Sequence, residues 1–216
     1  MSQRPLALFG GTFDPVHYGH LRAAWEAAER LDAEVRLLPA NVPPHRAQPV
    51  LDADQRVELL RIALAGQSRL SLDTRELGRA GPSYTVDTLH GLRAEIGPER
   101  PLILLVGADA FAGLPSWNRW LRLFDLAHVG VLTRPGPARA LPPELEQQIQ
   151  TRHCALDGVW RARDAGCIVS LDVTDLDISA TAIRAEYAAG REPRFLLPDA
   201  VRERINARGW YAVPGG

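Results

Sequence analysis

Short apolar runs alternate along the chain with longer stretches in which apolar residues recur every three to four positions. Residues 6–9 read as a buried strand that runs into Gly10 and Gly11. Residues 15–31 then place Leu21, Ala24, Trp25 and Ala28 on one helical face. A second strand falls at 35–38. Residues 55–65 are helical, with Val57, Leu60, Ile62 and Leu64 apolar and Asp52 or Asp54 as the cap. Leu70–Leu72 is extended, Thr85–Ile96 is a helix, and five aliphatic residues at 102–106 form the strongest strand pattern. Further strands fall at 129–132 and 168–171, and further helices at about 143–153, 180–189 and 198–207. Apolar strands that do not alternate with polar positions, spaced by helices, predict a doubly wound α/β fold: a mostly parallel sheet with helices on both faces. No internal repeat or low-complexity tract interrupts the chain. Residues 1–216 are therefore expected to form a single domain, with 137–166, rich in Pro, Arg and Gln, as a variable excursion.

Composition removes several function classes. The formal net charge of −1 argues against a broad nucleic-acid footprint. All 25 basic residues are arginine and there is no lysine. A Walker-type phosphate loop, a Schiff-base enzyme and a Ser-x-x-Lys acyl enzyme each need a lysine. Positive charge must come from arginine, histidine, a metal or helix N-termini. Cys154 and Cys167 are too few for a disulfide framework and form no C-x-x-C pair, so they read as thiols of a reducing compartment or as small apolar residues. No segment approaches a membrane span. The four apolar residues before Gly10 are too short for a secretory signal, and a cytoplasmic location is expected.

In a doubly wound sheet, ligands sit beyond the carboxyl ends of the strands. The run after the first strand is Gly10-Gly11-Thr12-Phe13-Asp14-Pro15-Val16-His17-Tyr18-Gly19-His20. Asp14-Pro15 reads as a helix start, an acidic N-cap followed by proline at the first helical position. His17 and His20 would then share one face near the start of that helix. A helix N-terminus favours phosphate, and two imidazoles add donors whose charge adjusts near neutral pH. A lone histidine is usually structural, and an H-x-x-H pair can be half of a metal site. The six fixed positions of Gly-x-Phe-Asp-x-x-His-x-Gly-His recur by chance only roughly once in 10^7 to 10^8 starting points.

That string resembles the H-x-G-H signature of the nucleotidyltransferase superfamily, which transfers AMP or CMP to a phosphate acceptor. Ile178-Ser179-Ala180-Thr181-Ala182-Ile183-Arg184 resembles its second signature, I-S-x-T-x-I-R. The resemblance implies a Rossmann-like sheet, with His17 and His20 catalytic at the triphosphate. It also places Gly10, Thr12, Phe13, Gly107, Asp109, Arg134, Ser179, Thr181 and Arg184 with them in ATP binding. Ser179 is a good N-cap, and Arg184, about one turn into the helix, can fork onto phosphates.

The remaining segments resemble the bacterial nicotinate-nucleotide adenylyltransferases. They are Pro43-Pro44-His45-Arg46, Gly81 to Leu89, Gly107-Ala108-Asp109 with Leu114-Pro115-Ser116-Trp117, Arg134-Pro135-Gly136, and Phe195 to Asp199. On this resemblance the substrates are ATP and nicotinate mononucleotide. His45 and Arg46 meet the acceptor phosphate, Tyr84 and Thr85 its carboxylate, and Trp117 stacks on the pyridine, while Trp120 serves packing. Simple capping of the helix by Ser83 is the plainer alternative at Tyr84 and Thr85. Mg2+ is expected with ATP, held by phosphate oxygens rather than by a protein cage. Alternatives are nicotinamide mononucleotide or phosphopantetheine as acceptor, a metal-dependent phosphohydrolase with His17, His20, His45 and Asp109 as ligands, or a non-catalytic nucleotide-binding regulator. The sequence leaves the oligomeric state open.

Overall fold

The computed structural model describes residues 3–41, 48–79, 81, 83–133 and 140–212. In these residues six strands form one sheet: β1 (Leu6–Gly11), β2 (Glu34–Pro39), β3 (Leu70–Leu72), β4 (Leu102–Gly107), β5 (His128–Thr133) and β6 (Ile168–Asp172). Their order is β3-β2-β1-β4-β5-β6, and every pairing is parallel. Among the described residues, eight α-helices connect and cover them: α1 (Tyr18–Arg30), α2 (Ala53–Ala63), α3 (Thr85–Ile96), α4 (Ala108–Ala112), α5 (Leu123–Leu126), α6 (Pro143–Arg152), α7 (Ala180–Ala188) and α8 (Asp199–Arg208). This is the expected doubly wound architecture.

The strands are buried on both faces because successive side chains feed opposite layers. Ala7, Val35, Leu37, Ile103, Leu105, Val169 and Leu171 pack in one layer with Ala24, Ala27 and Ala28 of α1, Leu59 and Leu60 of α2, and Ile183, Val201 and Ile205 of α7 and α8. Leu6, Leu8, Leu102, Leu104, Val106, Val129 and Val131 pack in the other with Leu89 and Leu92 of α3, Phe124 of α5 and Leu145 of α6. The alanine face of α1 lets that helix lie close to the sheet. Of the two caps the sequence offers, Asp52 is the one used, and it forms a capping box: its side chain accepts from Gln55 N at 2.8 Å, and Asp52 N donates to Gln55 Oε1 at 3.0 Å.

Two expectations change. Helix α1 begins at Tyr18, not near Pro15, and its N-cap is His17. The Asp14–Pro15 bond is cis, and the Asp14 carboxylate does not cap the helix. It accepts instead from Val50 N at 2.7 Å, Leu51 N at 3.3 Å and the Tyr211 hydroxyl at 2.6 Å. Within the excursion, Leu145 and Trp160 are fully buried in the two core layers. Cys154 and Cys167, read as thiols, are joined in a disulfide with their Cα atoms 5.8 Å apart, which ties the excursion to the strand β6 it precedes.

Candidate active site

The glycine-rich end of β1 opens onto the carboxyl edge of the sheet, between neighbours β2 and β4. Gly10 is exposed there. Phe13 turns back into the fold with φ of 51°, and its ring lies against Gly11, where a Cβ would stand 2.8 Å away. The Phe13 side chain is 1% exposed and meets the His20 ring edge-on at 5.0 Å. It serves as a floor for the histidine and leaves almost no surface of its own at the edge.

His17 and His20 are three residues apart at the start of α1, and their rings stack with centroids 3.7 Å apart and planes 29° apart. His17 is 5% exposed and His20 half-buried. Gly19 makes this packing feasible. A Cβ there would lie 3.0 Å from the His17 ring and 3.4 Å from the Ile178 carbonyl. The small residue in H-x-G-H therefore lets His17 fold back on the helix. It also brings the segment before α7 up against the first motif, which joins the two signatures in space.

Segment 178–184 then behaves as its sequence suggests. Ser179 caps α7, its Oγ accepting from Ala182 N at 3.1 Å. Thr181 is exposed on the first turn. Arg184 Nη1 donates to the Asp14 carbonyl at 2.6 Å and Nη2 to Thr181 Oγ1 at 3.2 Å. The guanidinium proposed for phosphate thus also straps α7 to the turn between β1 and α1. At the end of β4, Gly107 caps α4 and Asp109 is exposed in its first turn.

On the acceptor side, Tyr84 is the N-cap of α3 without a side-chain cap bond. The capping alternative at Ser83 does not hold, because its buried Oγ has no hydrogen-bond partner among the described residues. Tyr84 and Thr85 are half-buried, and Trp117, at the end of a 3-10 turn (Leu114–Ser116), packs against the same apolar layer as Tyr84. Arg119 Nη2 reaches Asp87 Oδ1 at 2.5 Å and closes the Trp117 turn onto the first turn of α3. Trp120 packs edge-on to Phe124 at 6.2 Å, in keeping with its expected packing role. His45, Arg46 and Arg134 lie outside the described residues. Among the described residues, no three His, Cys, Asp or Glu side chains gather closely enough to hold a metal ion.

Two contributors were not anticipated. Arg56 of α2 is 1% exposed and donates to the carbonyls of Thr12 and Ala40 at 2.8 and 2.9 Å. Burial pulls its guanidinium below the ordinary arginine range, against the opposing pull of Asp14. Its spacing from Leu60 and Ala63 puts it on the buried helix face, so a polar residue on an apolar stripe was the available sign. Tyr211, near the chain end, buries its hydroxyl on Asp14; burial and that carboxylate push it well above the ordinary tyrosine value. Nothing in its local sequence marks it.

A parallel sheet of order 3-2-1-4-5-6, with a histidine pair and a capped helix N-terminus at its carboxyl edge, defines a nucleotide-binding α/β protein of the nucleotidyltransferase type. The cytidylyltransferase-like family model matches residues 8–186. A protein of Halorhodospira halophila named a probable nicotinate-nucleotide adenylyltransferase is 51% identical over 212 residues, covering 98% of this chain and 97% of that one. One of Methylococcus capsulatus with the same name is 49% identical over 209 residues, 96% and 99% of the two chains. A solved Plasmodium falciparum nicotinic acid mononucleotide adenylyltransferase complexed with NaAD superposes with a TM-score of 0.71 over 97% of this chain and 98% of that one; at 14% identity it speaks to the fold alone. The chain belongs to the nicotinate-nucleotide adenylyltransferase family of cytidylyltransferase-like proteins.

Proposed function

We propose that this protein transfers AMP from ATP to nicotinate mononucleotide, giving nicotinate adenine dinucleotide and pyrophosphate in NAD biosynthesis. The stacked His17–His20 pair, with the Ser179-capped start of α7 brought against it through Gly19, is the observation that carries the reading. The names of close relatives along nearly the whole chain support the choice of acceptor.

The acceptor phosphate is already an anionic nucleophile. Its oxygen forms a bond to the α-phosphorus of ATP while the bond from that phosphorus to the β-phosphate oxygen breaks and pyrophosphate leaves. No serine, cysteine or lysine nucleophile is required. The protein aligns the two phosphates and stabilises charge on the α-phosphate. His20 and His17 supply hydrogen bonds there. Gly10, Thr12 and the backbone of Phe13 form the turn against the phosphates, with Ser179, Thr181, Arg184 and Arg134 meeting them from the other signatures and strand β5. Gly107 and Asp109 lie by the adenosine. His45 and Arg46 take the acceptor phosphate, Tyr84 and Thr85 its carboxylate at the start of α3, and Trp117 the pyridine ring. The donor is the magnesium complex of ATP, so the metal enters as part of the substrate. The chain works as one unit over residues 1–216, in the cytoplasm.

The test is pyrophosphate release from ATP and Mg2+ with nicotinate mononucleotide, nicotinamide mononucleotide, phosphopantetheine or no acceptor. The expected result is the highest kcat/KM with nicotinate mononucleotide. Preference for another acceptor, or equal release without one, overturns the reading.

A further inference from the structure

Two chain segments lie side by side at the carboxyl edge of the sheet: the turn after β1, which carries the histidines, and residues 40–41 after β2, which precede His45 and Arg46 in the sequence. One buried side chain touches both. Arg56 Nη1 donates to the Thr12 carbonyl at 2.8 Å and to the Ala40 carbonyl at 2.9 Å, and Nη2 reaches the Asn41 carbonyl at 3.4 Å. Ala40 N also donates to the Gly11 carbonyl at 2.9 Å, extending the β1–β2 pairing beyond the strands. Arg184 holds the same turn from the α7 side through the Asp14 carbonyl.

This arrangement has a chemical consequence. In a trans peptide the N–H points opposite to the preceding carbonyl. Drawing the Thr12 and Ala40 carbonyls onto Arg56 therefore aims the Phe13 and Asn41 N–H groups away from it. A planar fork is needed to take several carbonyls from two loops at once, which a lysine ammonium does with poorer geometry. The cation itself is costly. It is 1% exposed, no ion pair to it forms among the described residues, and its Nε lacks a partner among them. An apolar residue would cover the same stripe of α2 without a buried charge. Its hydrogen bonds to three carbonyls offset part of that cost, and they fix the cation where the chain leaves the carboxyl ends of β1 and β2.

We propose that Arg56 is a positioning residue that holds the turn after β1 and residues 40–41 after β2 in register, at the edge where the adenylyl-transfer reading brings the two phosphates together. The proposal rests on the adenylyl-transfer reading above. Arg56 touches no reacting atom. Its loss should impair alignment of two bound substrates more than binding of either one.

The test compares the parent protein with Arg56→Gln and Arg56→Lys. Near-ultraviolet circular dichroism and thermal melts count the folded molecules, calorimetry measures ATP and nicotinate mononucleotide binding separately, and pyrophosphate release gives kcat and each KM. The expected result for Arg56→Gln is a kcat per folded molecule lower by about tenfold or more, with affinity for ATP alone changed by less than about threefold. Arg56→Lys, which keeps the charge and part of the hydrogen bonding, should lie between the two. Unaltered kcat per folded molecule in Arg56→Gln overturns the proposal. So does a loss confined to ATP affinity, or failure of both variants to fold, which would make Arg56 a structural strut only. A parent that releases no pyrophosphate with any acceptor would instead overturn the adenylyl-transfer reading, so the two failures are distinguishable.

Discussion

Arg56 and Arg93 use the same chemistry at opposite edges of the sheet. Arg93, on α3, donates to the carbonyls of Leu126, Arg100, Gly97, Pro98 and Asp164. Burial lowers both guanidinium pKa values from the ordinary arginine range. Each gathers main-chain carbonyls from several loops, some of them part-buried. The loops differ. Those on Arg93 lead into the amino ends of β4, β5 and β6, where Leu102 N also donates to Asp164 O and Val129 N to Cys167 O. Those on Arg56 leave the carboxyl ends of β1 and β2. A buried arginine is thus not in itself a mark of function. Its place relative to the strand ends decides whether it orders a ligand edge or closes a base.

The largest expected effect tests the ligand edge directly. His20→Ala should lower kcat by about a hundredfold or more, with an unchanged melting temperature, because donors of this kind contribute about 3–4 kcal/mol to transition-state stabilisation. His17→Ala should follow it, with a larger rise in KM for ATP. Near-parent single-turnover rates in His20→Ala would remove the histidine pair from the chemistry. Arg93→Gln tests the other edge. Losing several bonds from a charged donor to part-buried carbonyls should cost about 2–3 kcal/mol of stability, or about 5–10 °C in Tm. The kcat and both KM values should hold. A drop in kcat there as large as in Arg56→Gln would erase the distinction between the two arginines.

Gly19→Ala asks how finely the ligand edge is set. The added Cβ falls 3.0 Å from the His17 ring, so the imidazole must shift. Alanine is a better helix former than glycine, so stability should hold or rise. We expect kcat to fall about tenfold, from displacement of one donor by a fraction of an ångström. Parent-like turnover would show that the His17–His20 stack is not the arrangement that matters.

Much of this contrast was legible in the sequence. The strands come from uninterrupted aliphatic runs, whose burial on both faces leaves little choice of partner layer. The two motifs stand out by a fixed spacing of glycines, histidines and hydroxyl residues, and the fold brings them together where Gly19 meets the Ile178 carbonyl. What escaped is set by distant partners. Asp14-Pro15 has the local form of a helix start, yet Val50, Leu51 and Tyr211 claim the carboxylate from 36, 37 and 197 residues away. Cys154 and Cys167 show no motif, and only the return of the chain past Trp160 brings them together. Ser83 looks like a cap, but the N-cap of α3 is Tyr84. Arg56 was half legible: its helical spacing marks the buried face, while the carbonyls it serves belong to loops that spacing does not place.

The smallest effect isolates the base of the sheet by pH. His128, the first residue of β5, is fully buried, with Nδ1 accepting from Cys167 N at 3.1 Å and Nε2 3.1 Å from the Arg163 carbonyl. Those partners fit only the neutral ring protonated on Nε2, since a proton on Nδ1 would face another N–H. Burial holds its pKa below the usual 6.5, joined by the cations of Arg93 and Arg163 against the Arg163 carbonyl and the Asp164 carboxylate. The unfolded chain therefore takes up this proton first as pH falls. The stabilisation is whole above about pH 6.5 and is lost as pH drops toward the lower folded value. Urea midpoints at pH 7.5 and 5.5 should fall less steeply with acid in His128→Gln than in the parent, by no more than one proton's share of the slope, about 1.4 kcal/mol per pH unit. At the catalytic edge the same substitution should leave kcat unchanged at both pH values. Equal pH slopes in the two proteins would mean that this histidine is not held neutral by the base.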